Sequence, residues 1–158
     1  MPEDFAFIPG FLPALERSPA ALEARARLSK TIDAGFLTSR DRAFVGLSVA
    51  HVSRCDYCLW AQTNVARHAG LTGEDLLLCS AGTAIDRREA AIVRLAAEIA
   101  RSGSFAEHEV KQLQHDPILG KSEVMEIVAS AAYAVINNYL IQSVDPANIT
   151  IARQKRAA

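Results

Sequence analysis

Four helix starts along this chain carry a Ser, Thr or Asp followed three residues later by Asp or Glu: Thr38/Asp41, Thr72/Asp75, Asp86/Glu89 and Ser104/Glu107. A side-chain acceptor followed at that distance by a carboxylate is the signature of an α-helix start, because the two groups satisfy the unpaired N–H groups of the first turn. Apolar residues recur at three- and four-residue spacing in most segments, and no window alternates for long as a strand does. The pattern predicts an all-α fold. A helix opens at Ser18-Pro19 and is ended by Gly35. The next runs from Thr38 to about Ser53, and another from Cys55/Cys58 to Gly70. Further helices start at Thr72, Asp86 and Ser104, and a long apolar one runs from Ser122 to about Val144. Residues 1–16, with two prolines and Gly10 between positions 5 and 16, read as an irregular arm, and 147–158 as a tail.

At 158 residues the chain is the size of a single domain, long enough to bury a core without disulfide staples. A net charge of −1 supplies no bulk field for nucleic acid or an anionic membrane. No run of 18 apolar residues occurs, and the N-terminus lacks a basic start and an apolar stretch, so the sequence points to a cytoplasmic protein. The segment 124–141 is apolar on nearly every side. Such a helix lies at the centre of a bundle or at a subunit interface, and its alanine-rich faces favour a homo-oligomer. Asn137 and Asn138 within it are placed to bond across that interface.

Three cysteines are too few for a secreted disulfide scaffold. Two of them form the C-x-x-C pair Cys55/Cys58, in the one segment dense in reactive side chains, His51 to Gln62. At a helix N-terminus such thiols sit near unpaired N–H groups and the positive end of the dipole, which favours thiolate. One thiolate can then attack a peroxide or disulfide, while the other closes an internal disulfide. Inert buried cysteines are the alternative. A zinc site lacks enough further ligands, and a thioredoxin-like site would need strands that the pattern does not supply. No cofactor or metal is expected. His51, one turn before Cys55, is a candidate base, set against a role as a helix-end histidine bonded to a carbonyl. Asp41 reads as a capping residue, His68 as a partner of a helix C-terminus and Cys79 as a buried thiol. Tyr57 and Trp60 pack into the core or wall the site.

The stretch from Leu37 to Gly70 resembles the AhpD-like alkylhydroperoxidase and carboxymuconolactone decarboxylase superfamily. So do Asp86-Arg-Arg-Glu-Ala-Ala-Ile-Val-Arg-Leu-Ala96 and the late Asn137-Asn-Tyr-Leu140, a likeness that spans roughly residues 7–146. The resemblance implies an oligomeric all-helical domain. In the peroxidase branch it also implies a cysteine pair that hydroperoxide oxidises and a partner dithiol protein re-reduces. Cys58 then corresponds to the peroxide-attacking thiol and Cys55 to the resolving one. The family's relay glutamate and histidine fall at Ala43 and Gln62, so both proton carriers are replaced. Gln62 can orient a group by hydrogen bonding but takes no proton near neutral pH. Peroxidase activity is thus expected to be weak. Two alternatives are a non-catalytic redox-sensing or structural oligomer, and a lyase of the decarboxylase branch, whose members generally lack the pair.

Overall fold

The computed structural model describes residues 15–103, 111–112 and 117–143, and all regular structure among them is helical. There are six helices: α1 (Pro19–Asp33), α2 (Ser39–Val52), α3 (Asp56–His68), α4 (Gly73–Ser80), α5 (Arg87–Ser102) and α6 (Lys121–Gln142). The expected helix at Ser104/Glu107, most of the N-terminal arm and the tail lie outside the described residues.

The centre of the fold is α2. Eight consecutive residues, Ala43 to Ala50, are buried, because α5, α3, α6 and α4 pack around it. Phe44, Leu47 and Val49 meet Ile92, Val93 and Ala96 of α5 and Ile127, Ala131 and Ala134 of α6 in one continuous core. The sequence placed α6 either at the centre of the bundle or at a subunit interface. It is not the centre: α6 buries one face (Val124, Ile127, Ala131, Ala134, Asn138, Ile141) and exposes Met125, Ile136 and Tyr139 on the other. The smaller, flatter sequence of α2 (Ala43, Gly46, Ser48, Ala50) lets four helices approach it closely, and α6 is displaced to the outside. Among the described residues α6 alone is long and apolar enough to cross a membrane, but its inner face is the core face of the bundle.

Caps set the helix ends much as the sequence indicates. Thr38 and Asp41, and Thr72 and Asp75, form reciprocal capping boxes. Asp86 accepts from the N–H groups of Arg88 and Glu89, while the Glu89 carboxylate goes to Arg40 at 2.6 Å instead of back to the cap. Gly120, not Ser122, caps α6, since Glu123 Oε2 accepts from its N–H at 3.1 Å. Gly35 serves close approach, not a left-handed helix end. The Glu126 carboxylate lies against it and accepts from the N–H groups of Phe36 (2.7 Å) and Leu37 (3.0 Å), and an added Cβ would sit 2.5 Å from Oε2.

Two arginines bind the same end of the bundle. Arg40 holds Asp75 of α4 (3.0 Å) and Glu89 of α5 (2.6 Å), with its guanidinium over the Phe44 ring. Arg88 holds Asp41 of α2 (2.8 Å) and Glu123 of α6 (2.6 Å). Burial pushes the Asp41 carboxyl up, but the bonds from Arg88 and Thr38 outweigh it and hold the group below its ordinary range. The Thr72 N–H, then Arg40, does the same for Asp75. A depressed folded pKa contributes stability that is present above the unfolded carboxylate value and is lost as pH falls through the folded one. Removing the partner of Asp41 by Arg88→Ala should therefore cost about 2–3 kcal/mol at pH 7. The deficit should shrink below about pH 4, where protonated Asp41 no longer needs a cation. Urea unfolding of both proteins at neutral and acid pH measures it, and an equal deficit at both would contradict the assignment.

Candidate functional site

Between α2 and α3 the chain turns through Ser53, Arg54 and Cys55. Arg54 takes a left-handed backbone conformation (φ 50°), sparsely populated for a side chain of its size. The turn is tied down from outside: Asn138 Nδ2 of α6 donates to Ser53 Oγ at 2.9 Å, and Ser53 Oγ donates to the Val49 carbonyl at 2.7 Å. Asn137 likewise bonds within the chain, accepting from Arg25 Nε (2.7 Å) and donating to the Tyr133 carbonyl (2.9 Å). The two asparagines expected at a subunit interface are thus spent inside the bundle, one of them fixing the residue two before Cys55.

Cys55 is the N-cap of α3, its sulfur accepting from the Cys58 N–H at 3.2 Å, and Cys55 and Cys58 are joined as a disulfide with their Cα atoms 5.2 Å apart. The two cysteines are unequally placed. Cys55 is partly exposed, whereas Cys58 is 0% exposed among Ala50, Tyr57, Ala61 and Ile141. Tyr57 and Trp60 pack tilted, ring centroids 5.5 Å apart, as part of the same cluster. A thiol reagent arriving from solvent therefore meets Cys55 first. The helix N-terminus stabilises a thiolate released on either sulfur.

The remaining candidate residues divide between two faces of α2. At 3.6 residues per turn, Ala43, Gly46 and Ala50 share one face, and Ser48 and His51 lie on the far side. Ala43 and Gln62 line one cavity of about 280 Å³ between α1, α2, α3 and α6. The structure thus brings together the two positions, 43 and 62, that the sequence resemblance singled out. Gln62 sits one turn along α3 from Cys58 and packs against Gly46, where an added Cβ would lie 2.3 Å from Oε1. His51 faces elsewhere, lining a second cavity with Ser48 and Cys79. Burial lowers its pKa, so its imidazole stays neutral at physiological pH. Cys79 is buried, 3.6 Å from Ser48 Oγ, and burial pushes its thiol up. His68 Nδ1 lies 2.8 Å from the Asn64 carbonyl in the last turn of α3, while His108 and His115 lie outside the described residues.

Sequence reasoning missed Gly46, Ser53, Ser130 and Tyr133. Ser130 and Asn137 stand seven residues apart on α6 and both line the first cavity. Two polar residues at that spacing inside an apolar helix mark one face, and this was the available signal.

A helical bundle with a cysteine pair at the N-terminus of α3 defines a class of all-α thiol-bearing domains. The chain belongs to the carboxymuconolactone decarboxylase family, whose model matches residues 19–102. The matched span holds α1 to α5 and the whole cysteine segment. Neither the curated proteins nor the solved structures contain a significant match.

The unequal burial makes a direct prediction. In reduced, folded protein, iodoacetamide should modify Cys55 before either Cys58 or Cys79, and mild oxidant should regenerate the Cys55–Cys58 bridge with Cys79 still a thiol. Peptide mapping by mass spectrometry reads all three positions, and a dominant bridge to Cys79 would exclude this site.

Proposed function

We propose that the protein is a slow thiol-dependent hydroperoxide or disulfide reductase that cycles the Cys55–Cys58 pair. The observation that carries the reading is the disulfide at the N-terminus of α3, with one cysteine reachable and the other enclosed. In the reductive half, a thiolate of a dithiol protein attacks Cys55 Sγ. The S–S bond breaks, a mixed disulfide forms at Cys55, and Cys58 leaves as thiolate near the helix N-terminus. The second thiol of the partner attacks its own sulfur in the mixed disulfide, leaving oxidised partner and free Cys55.

In the oxidative half, Cys58 thiolate attacks the hydroperoxide O–O bond, giving Cys58 sulfenic acid and, with one proton, an alcohol. Cys55 thiolate then displaces water from the sulfenic acid, taking one more proton, and the disulfide re-forms. The Cys58 role rests on the family resemblance. The pace of the cycle follows from the cavity beside it. With Ala43 and Gln62 in place of an acid and a base, neither of these two positions accepts the Cys58 proton near neutral pH. His51, on the other side of α2, is no substitute in this arrangement. Positioned general-base help is worth about 10²–10⁴ in rate.

Gln62→His combined with Ala43→Glu should therefore lower the Cys58 pKa and raise dithiol-dependent hydroperoxide turnover by about 10²-fold. Cys58→Ser should abolish turnover in both backgrounds, and His51→Ala should leave it unchanged. If the wild type forms the disulfide reversibly but neither it nor the double variant turns over peroxide, the pair acts as a redox sensor instead. The reading sets the protein in the reducing cytoplasm, apart from nucleic acid and membrane.

The same reading includes a homo-oligomer built on the outer face of α6. Met125, Ile136 and Tyr139 are exposed there at helical spacing, with Ala132 exposed between them, and Tyr139 is 71% exposed. Light scattering at micromolar concentration should give at least a dimer, and Ile136→Glu with Tyr139→Glu should yield monomer without loss of helicity. A monomeric wild type would remove the oligomer.

A further inference from the structure

The cavity that holds Ala43 and Gln62 carries polar groups with nothing to bond. Gln62 is 6% exposed, yet its carboxamide makes no hydrogen bond among the described residues. Ser130 is 5% exposed, and its hydroxyl is buried without a partner. A buried hydroxyl left unpaired costs roughly 1–3 kcal/mol, so Ser130, with the Gln62 amide lining the same cavity, is a standing demand for a ligand. We propose that this cavity is a binding site for a small uncharged molecule that both donates and accepts hydrogen bonds, such as a primary amide or an alcohol, held by Gln62 and Ser130.

Three features fix the chemical class. The floor is neutral: Ala43 supplies no carboxylate, Gln62 no imidazole, and Asn137 faces it with its amide already spent on Arg25 and the Tyr133 carbonyl. The formal charges lie at the rim and are taken. Arg42 Nε is 3.4 Å from Asp33 and its Nη1 donates to the Leu37 carbonyl, while exposed His68 has Nδ1 on the Asn64 carbonyl. A carboxylate would thus lose hydration at the floor and gain no cation there. The walls are apolar at Ile32, Val65 and Ala134, which suits a ligand with a hydrocarbon body.

The size follows from the small residues. Ala43 leaves open the space a longer side chain would fill, and Gly46 lets the Gln62 amide lie flat against α2. About 150 Å³ suffices for benzene. A cavity of about 280 Å³ has room for a substituted ring. On this view the two replacements that remove a proton relay are also what make a neutral pocket. The proposal goes beyond the thiol reading and is tested apart from it, on oxidised protein with neither peroxide nor reductant present.

The experiment is an amide NMR titration of the full chain with three ring compounds of similar size: benzamide, benzoate and toluene. Benzamide should bind at least five-fold tighter than either of the others, with shifts gathered at Gln62, Ser130 and Tyr133. Ser130→Ala and Gln62→Leu should each weaken it about 3–10-fold, as the loss of one neutral hydrogen bond does. Ala43→Leu should block it by filling the space. The comparison among ligands on the wild type needs no variant to fold. Benzoate or toluene binding as well as benzamide, shifts elsewhere, or no binding of benzamide at millimolar concentration would each overturn the proposal.

Discussion

The ion pair of Asp41 with Arg88 closes the exposed end of the one helix that everything else surrounds. The first turn of a helix leaves N–H groups without intrahelical partners, and here protein groups complete it although Thr38 and Ser39 are exposed. Thr38 and Asp41 complete it from within, and Arg88 offsets the charge that Asp41 brings into the interior. Arg88 also reaches Glu123, so the same guanidinium sets the start of α6 against α2. Arg40 repeats the device between α4 and α5. With that end fixed, the opposite end of α2 is where the chain can afford a left-handed residue and a reactive turn.

The site inherits its geometry from this frame. Because α2 is central, residues adjacent in its sequence meet different surroundings. Ala50 packs against Cys58, while His51 turns to Cys79. The cysteine turn is held by a bond from Asn138, 85 residues away, so thiol chemistry at α3 depends on the seating of α6. The outer face of α6 is apolar and exposed, which links any assembly through that face to the position of Asn138 on the inner one.

Family membership and site chemistry point in different directions here. The span 19–102 places the chain in the carboxymuconolactone decarboxylase family, and the cysteine pair supplies what thiol redox chemistry needs. Ala43 and Gln62 occupy one cavity, so any combined effect of the two is local. On the proposed reading, a scaffold that keeps its cysteine pair while these two positions carry no ionisable group retains slow thiol exchange and gains room for an uncharged ligand.

Local chemistry made much of this legible in the sequence. Thr38/Asp41 and Thr72/Asp75 announce helix starts because capping involves residues three apart, and Cys55/Cys58 announce a bridge for the same reason of short range. Burial of Cys79 also followed from residue type. What the sequence could not decide was the rank of the helices in the core. Hydropathy favoured α6, with its longer apolar run, but centrality went to α2, because close approach of four neighbours depends on small side chains facing all of them at once. The same long-range packing decided that Asn137 and Asn138 bond inward, that His51 turns away from Cys58, and that Gly35 is shaped by Glu126. Ser130 and Gly46 became site residues only because α6 meets α2 and α3 from far along the chain. Periodicity along one helix says which residues share a face. Which face meets which neighbour is settled by the packing of the whole.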